Sequence, residues 1–388
     1  MDPISNLLTR SVDKIYPSKQ ELEKVLRSGK KIRLYQGFDP TGTQLHIGHM
    51  VGFRKHRQWQ DLGHEVIFLI GDGTGQAGDP SGKKQSREKF FSQNELRQNA
   101  KDYINQASKI VRFDGSNPIK ILYNSDWLNK LNLVEILNIA QNFTVQQMIE
   151  RDMYQERIKA GEPINLREFL YPLLQGYDSV AMDVDLEIGG TDQTFNMLAG
   201  RTLMKTMKGK DKFVMTLPLL TDSKGVKIGK SENNVIGLTD TPADLFGKIM
   251  SLGDDAIIPL FTLLTDVPTE EISSFDIHKN PMDLKKRAAY LIVTQLHSES
   301  SASSAQEHFE QTIQQHQTPT NIPEVKVSSK NIVDVLVEAS LASSKSDARR
   351  LIDQGGVQVN GQKIRDSLFV IPNSSLIRVG RRFAKITF

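Results

Sequence analysis

The chain of 388 residues contains no cysteine. That excludes disulfides, thiol nucleophiles and thiolate zinc sites, and it suits a reducing compartment. Long apolar runs are missing as well. Stretches such as Val66–Ile70 fall far short of the roughly 18 residues that a membrane span needs. The N-terminus, MDPISNLLTR, lacks the apolar core of a signal peptide. A cytoplasmic location without a membrane partner is therefore expected. Charge of one sign is scarce too, with 49 Lys/Arg against 46 Asp/Glu and a net charge of +3. The surplus is uneven, however. Residues 328–388 hold ten Lys/Arg and five Asp/Glu, a net +5, which leaves −2 on residues 1–327. The basic character belongs to the last sixty residues, as expected of a module that binds a polyanion.

A hydrophobic content of 38% and a charged content of 24% describe a globular chain. Its length suits about two to three domains. Over the first 250 residues, short β-prone runs alternate with helical patterns. Strands are predicted at Ile32–Phe38, Val66–Ile70, Ile119–Tyr123, Val184–Ile188 and Phe213–Leu217, and helices over 46–62, 87–109, 144–159, 166–182 and 192–207. Such alternation predicts βαβ units around a parallel sheet, an α/β fold. Residues 242–300 read as helical. The polar stretch from Ser298 to about Ser329 is the best linker candidate. The basic module then shows helices from Ile332 and over Ser344–Asp353, followed by strands Val357–Val359 and Ser375–Val379.

Five motifs carry chemistry. In the first, Gly37-Phe38-Asp39-Pro40-Thr41-Gly42 leads into Leu45-His46-Ile47-Gly48-His49. A strand ends, a loop turns, and a helix opens with two histidines on one face. A helix N-terminus suits phosphate, and Gly48 lets a sugar or purine lie against the backbone. Two surface histidines near a cap are the plainer reading. No third ligand at metal spacing accompanies them.

The second motif is Gly73–Lys84. Residues 73–78 spell GxGxxG, but Asp79-Pro80 and Gly82 follow where that fingerprint needs a helix. The P-loop spacing also fails. What remains is a glycine-rich loop with Lys83, Lys84 and Arg87, suited to a polyphosphate or simply a solvated turn. The third motif places Tyr171, Gln175 and Asp178 in one line on a helix. A phenol, an amide and a carboxylate so arranged can bind a zwitterion or a hydroxyl, or form an ordinary wet face. The fourth, Gly189-Gly190-Thr191-Asp192-Gln193, lies between a strand and a helix. It can cap the helix or admit a ligand. The fifth, Lys227-Ile228-Gly229-Lys230-Ser231, carries two lysines able to close over a polyphosphate.

Singly these are weak, but their order and joint presence are specific. The chain resembles the class I aminoacyl-tRNA synthetases, and among them the bacterial-type tyrosyl-tRNA synthetases, over essentially its whole length. HIGH stands intact at 46–49, and KIGKS at 227–231 looks like the family's second motif. YQGFDPT, GDPSGK, YPLLQGYD and GGTDQ select the tyrosine branch. Gln36 stands where some members carry a cysteine.

The resemblance implies a Rossmann-like catalytic domain over 1–240, with a dimer-forming insertion at about 125–160. It further implies an α-helical anticodon-region domain over 241–320 and a small α+β RNA-binding module over 328–388. Tyr35 and Asp178 would bind the substrate phenol, Asp79, Tyr171 and Gln175 its ammonium group, and Gln193 its carboxylate. Gly37, Asp39, Thr41, Gly48, Lys83, Arg87, Gly190, Asp192 and Lys230 would hold ATP. His46, His49, Lys227, Lys230 and Ser231 would act on its phosphates, and Lys345, Arg349 and Arg350 would meet tRNA. ATP would arrive with Mg²⁺, without a dedicated protein metal site, and the family is homodimeric. Two other readings are a tryptophan-specific relative and an RNA-binding or splicing-type protein that kept the fold. Tyr35 paired with Asp178 speaks against the first. The survival of both phosphate motifs speaks against the second.

Overall fold

A computed structural model describes residues 2–81, 90–221, 235–311, 322–380 and 382–388. The chain divides into two compact units, Met1–Ala302 and Ser303–Phe388.

The first unit is built on a six-stranded sheet. Its strands are β1 (Lys14–Tyr16), β2 (Arg33–Phe38), β3 (Glu65–Ile70), β4 (Lys120–Tyr123), β5 (Leu186–Gly190) and β6 (Phe213–Leu217). Their spatial order is β1-β6-β5-β2-β3-β4. Every pairing is parallel except β1 with β6. The five predicted strands are therefore the parallel ones. β1 was not anticipated; it adds an antiparallel edge through Lys14↔Thr216 and Tyr16↔Val214. Strand order runs outward from β2 through β3 to β4, then returns to β2's other side for β5 and β6. The order reverses between β2 and β5, and in doubly wound sheets ligands bind beside such a reversal, at the carboxyl ends of the strands. Those ends carry Gly37-Phe38 and Gly189-Gly190.

Helices cover the sheet much as predicted. Ile47–Asp61 follows β2, Gln93–Ala107 follows β3, and Leu166–Met182 precedes β5. Thr194–Lys208 follows β5 after a short 3-10 turn. The continuous helix predicted over 144–159 is two helices, Val145–Ile149 and Asp152–Ala160. Arg151 separates them in an extended conformation (φ −63°, ψ 132°).

Leu166–Met182 and Thr194–Lys208 pack backbone to backbone. A Cβ on Gly176 would lie 3.1 Å from the amide nitrogen of Gly200, so glycine is required for this approach. Beyond the sheet, residues 242–296 are helical as expected, with Pro242–Met250, Ile257–Leu264 and Pro281–Leu296 the longer segments. They belong to the same compact unit as the sheet. The Arg10 guanidinium fastens the N-terminal segment to them. It donates to the carbonyls of Phe261 and Thr262 near the end of one helix, and to those of Thr265 and Val267 just beyond. Carbonyls at a helix C-terminus have no partner within the helix.

The polar stretch expected to be a linker is partly helical, over Glu299–Phe309. Ala302, Ala305 and Phe309 recur at helical spacing and are buried. Their small number among serines and glutamines hid the pattern.

The second unit holds β7 (Glu324–Lys326), β8 (Val357–Val359), β9 (Gln362–Ile364), β10 (Ser375–Val379) and β11 (Arg382–Thr387), in the order β7-β11-β10-β8-β9. Helices Ile332–Glu338 and Lys345–Asp353 complete it. Val335, Leu336, Ala348, Ile352, Ile377 and Ile386 are central to its core. The predicted strands 357–359 and 375–379 are present at those bounds. Lys345, Arg349 and Arg350 are all exposed on the Lys345–Asp353 helix. Lys345 pairs with Asp334 at 2.8 Å and Arg350 with Asp347 at 2.6 Å. Exposed pairs of this kind hold little energy, so they leave the cations free to exchange partners.

Candidate active site

In a doubly wound sheet the ligand crevice lies where the strand order reverses, here between β2 and β5. Gly37 is exposed although it lies within central strand β2, so the cleft floor there is bare backbone. Beside it, the Leu166–Met182 helix turns Tyr171, Gln175 and Asp178 inward. The solvated reading of that face is wrong. Tyr171 is 6% exposed and Asp178 1%.

The Asp178 carboxylate accepts from Asn124 Nδ2 at 3.0 Å and Trp127 Nε1 at 2.8 Å. Burial pushes its carboxyl well above the usual range, and these two donors pull the other way. Tyr35 lies beneath, fully buried, its hydroxyl 2.9 Å from Ser179 Oγ. Burial, followed by the field of Glu187 and Asp178, holds its phenol well above the ordinary value. Gln175 donates Nε2 to Glu187 at 2.9 Å, while its Oε1 is buried without a partner among the described residues. A buried acceptor left unpaired suits a site awaiting a donor.

Two more links complete the lining. Gln193 Nε2 donates to Asp79 Oδ2 at 2.9 Å. Tyr171 donates to Asp39 at 2.9 Å, and Thr74 Oγ1 donates to the other Asp39 oxygen at 2.7 Å. Asp39, expected on the nucleotide side, therefore touches the amino-acid group of residues. The chain reaches Asp79 through Gly78, whose φ of 87° ends the short Thr74–Ala77 helix. A side chain is strained in that conformation. Gly71 is equally constrained, since a Cβ there would fall 2.0 Å from Asp39 Oδ1.

The Ile47–Asp61 helix starts beyond the carboxyl end of β2. His46 caps it in an extended conformation, and His49 Nδ1 accepts the His46 backbone N–H at 3.2 Å. The two rings stand 4.0 Å apart. Residues 235–238 are laid across this point. Ile47 N–H donates to the Ile236 carbonyl at 2.9 Å, and Leu238 N–H donates to the Leu45 carbonyl at 3.0 Å. The stretch that follows Lys227-Ile228-Gly229-Lys230-Ser231 thus returns to His46. Lys83, Arg87, Lys227, Lys230 and Ser231 themselves lie outside the described residues. Thr41 and Gly48 sit half-buried at the cleft. Gly190 and Asp192 adjoin each other, a Cβ on Gly190 falling 2.6 Å from Asp192 Oδ1.

A family model described as tRNA synthetases class I (W and Y) matches residues 27–314. The chain is also 41% identical over 388 residues to a tyrosine–tRNA ligase of Dehalococcoides mccartyi, covering 98% of this chain and 97% of that protein. The chain belongs to the tyrosyl-tRNA synthetase family. A second family model, the SYY-like C-terminal domain of tyrosine–tRNA ligase, matches residues 313–383. A tyrosine–tRNA ligase of Thermotoga maritima is 41% identical, covering 97% of this chain and 95% of that one. Among solved structures, a C-terminally truncated mitochondrial tyrosyl-tRNA synthetase of Aspergillus nidulans has a TM-score of 0.66 at 24% identity, covering 80% of this chain and 94% of that one. The Archaeoglobus fulgidus enzyme, solved with L-tyrosine, has a TM-score of 0.62 at 20% identity, covering 79% and 100%. These two structures show that the fold is shared.

Several lining residues escaped the sequence reading: Asn124, Trp127, Ser179, Glu187, Lys212 and Arg151. None belongs to a motif. Arg151 is the most unusual. It is 9% exposed, donates to Ser81 Oγ at 3.2 Å, stacks over Phe195 and leaves one Nη buried without a partner among the described residues. The break between its two flanking helices is the local signal that was missed.

Proposed function

We infer that the chain is a tyrosine–tRNA ligase. The observation that carries this is the set Tyr35, Gln175 and Asp178, with Tyr35 and Asp178 fully buried and Gln175 half-buried beside them. A substrate carboxylate would attack the α-phosphorus of ATP, which arrives with Mg²⁺. The bond to the β-phosphate would break, giving tyrosyl-adenylate and pyrophosphate. A ribose hydroxyl of the terminal adenosine of tRNA would then attack the acyl carbon and release AMP. Both nucleophiles belong to substrates, so the protein's part is positioning and charge stabilisation.

Asp178 and Tyr35 would meet the phenol, and Gln175 Oε1, Tyr171 and Asp79 the ammonium. Gln193 would lie near the carboxylate. Gly37, Thr41, Gly48, Gly190 and Asp192 would line the ATP side, with Asp39 between the two. His46, His49, Lys227, Lys230 and Ser231 would take the phosphates, together with Lys83 and Arg87. The α-helical region over 241–320 and the basic module would serve tRNA, the module through Lys345, Arg349 and Arg350.

Leu133, Val134, Leu137, Val145 and Ile158, all within the 125–160 insertion, are exposed. So many bare apolar side chains on one insertion suit a surface that pairs with a second copy. No helix among the described residues is long and apolar enough to cross a membrane, and we place the enzyme in the cytoplasm.

Amino-acid-dependent ATP–pyrophosphate exchange without tRNA tests the reading. Exchange is expected with tyrosine and not with tryptophan or phenylalanine. Folded protein that gives none with any amino acid would favour an RNA-binding role instead. Lys230→Ala should slow adenylate formation by roughly 10²-fold and leave tyrosine affinity near normal. A large loss of tyrosine affinity would count against the assignment. Removing 322–388 should spare exchange and weaken tRNA charging, measured at low tRNA. Undiminished charging would remove the module's assigned role.

A further inference from the structure

Beneath the proposed tyrosine pocket lies a charge pair that the mechanism leaves unused. Lys212 immediately precedes β6, and Glu187 is in β5. Their side chains are 0% and 2% exposed, and Lys212 Nζ donates to Glu187 Oε2. Two fully desolvated charges are costly, and a well-packed apolar pair is often no worse for stability. Their surroundings suggest what they do instead. Lys212 Nζ also donates to Ser179 Oγ at 2.8 Å. Ser179 Oγ is in turn 2.9 Å from the Tyr35 hydroxyl. The other oxygen of Glu187 accepts from Gln175 Nε2 at 2.9 Å. The pair therefore touches both polar ends of the pocket, through Ser179 to Tyr35 and directly to Gln175.

Hydrogen counting gives this network a direction. An ammonium can only donate, so Ser179 Oγ is an acceptor towards Lys212. The serine has one hydrogen of its own. Its acceptors are Tyr35 at 2.9 Å and Glu187 Oε2 at 3.4 Å. The shorter path sends the hydrogen to the Tyr35 oxygen. The phenolic hydrogen of Tyr35 then has the Gln175 carbonyl at 3.5 Å, a bond at the limit of geometry, and the Glu187 carboxylate, whose charge Lys212 neutralises. A nearer acceptor on a ligand would draw it away. Gln175 is oriented in the same way: with Nε2 held by Glu187, its Oε1 is the atom left to face the cleft.

We propose that Lys212, acting with Glu187 through Ser179, is a specificity-determining positioning residue that turns the Tyr35 hydroxyl hydrogen towards the para-hydroxyl of the amino-acid substrate. The inference rests on the pocket assignment above. A substrate phenol would accept from Tyr35 and donate to Asp178, and a ring without the hydroxyl would satisfy neither. Without the ammonium, Ser179 can accept from Tyr35 instead, and the donor is lost to the ligand. The cluster is closed from above by Gly200. A Cβ there would lie 2.5 Å from Lys212 Nζ and 2.8 Å from Ser179 Oγ, so the Thr194–Lys208 helix can pass over the network only with glycine at that position.

The test compares tyrosine and phenylalanine in ATP–pyrophosphate exchange, with their binding measured by equilibrium dialysis. Lys212→Met alone strands a buried carboxylate, so the deciding variant is the neutral double change Lys212→Met with Glu187→Gln. Ser179→Ala, which removes the competing acceptor while keeping the ion pair, is the control. Both should fold. In the double variant the tyrosine-to-phenylalanine ratio of kcat/KM should narrow roughly tenfold, the scale of one hydrogen bond, and in Ser179→Ala it should hold. The ratio is the deciding quantity, because any loosening of Gln175 by Glu187→Gln touches both substrates alike. A preserved ratio in the folded double variant, or a narrowed one in Ser179→Ala, overturns the proposal whatever happens to the melting temperature. The two readings fail separately. Wild-type protein without tyrosine-dependent exchange sinks the ligase assignment, whereas a discriminating wild type with an equally discriminating double variant sinks only the role of Lys212.

Discussion

Asp178→Ala should lower kcat/KM for tyrosine in pyrophosphate exchange by roughly 10²-fold, the worth of a hydrogen bond to a charged group. Activation of phenylalanine should change little, because that ring makes no such bond. The fold should hardly notice. The wild-type carboxylate is 1% exposed, and keeping a charge there costs desolvation energy that alanine does not incur. Against this, Trp127 Nε1 and Asn124 Nδ2 each lose an acceptor, though Asn124 Nδ2 keeps Thr74 Oγ1 at 3.0 Å. These effects oppose each other, so the melting midpoint should move by no more than about 5 °C. Exchange assays on both amino acids, with thermal melts on the same preparations, separate the cases. A variant that loses tyrosine and phenylalanine activation equally, in step with its melting temperature, would mean that Asp178 is structural.

What could be read from the sequence was what is local. Phe213–Leu217 and Leu166–Met182 match their predicted bounds, since each is a dense apolar run or a clear helical face. The family resemblance grouped Tyr35, Gln175, Asp178, Asp79 and Gln193; Tyr35 stands within β2, and Gln175 and Asp178 lie on the Leu166–Met182 helix, which Ser179 bonds to Tyr35. What escaped was set by distant partners. β1 has three residues, and its only warrant is pairing with residues about two hundred positions away. Glu187 lies in β5 and Lys212 just before its neighbour β6, a relation that no spacing encodes. Asn124 and Trp127 reach Asp178 from across the cleft. The break at Arg151 was overridden by an otherwise continuous helical pattern. There Thr144 and Gln147 cap a separate short helix, and the extended residue turns its guanidinium towards Ser81.

Acid should unfold the sheet-bearing unit largely through His56. This residue is fully buried in the Ile47–Asp61 helix, edge-on to Phe38, and neither ring nitrogen has a partner among the described residues. Burial lowers its pKa from the ordinary 6.5 to about 3. Below pH 6.5 the unfolded chain takes up a proton that the folded chain refuses until about pH 3. Stability is thus complete above 6.5 and drains away as the pH falls towards 3. At pH 4 the loss from this one group is ~3 kcal/mol. His64, lowered to about 4 chiefly by burial, adds a loss of the same sign, since its Nδ1 accepts the Ile32 N–H at 3.1 Å. His56→Leu removes the larger linkage and breaks no hydrogen bond. Its stability at pH 7 should stay within about 1 kcal/mol of wild type. Its fall between pH 7 and pH 4 should be smaller by ~3 kcal/mol. Urea titrations at the two pH values read this through Trp59 and Trp127, the chain's two tryptophans, both in this unit. An equal fall in variant and wild type would show that His56 finds a way to be protonated inside the fold, and that acid acts elsewhere.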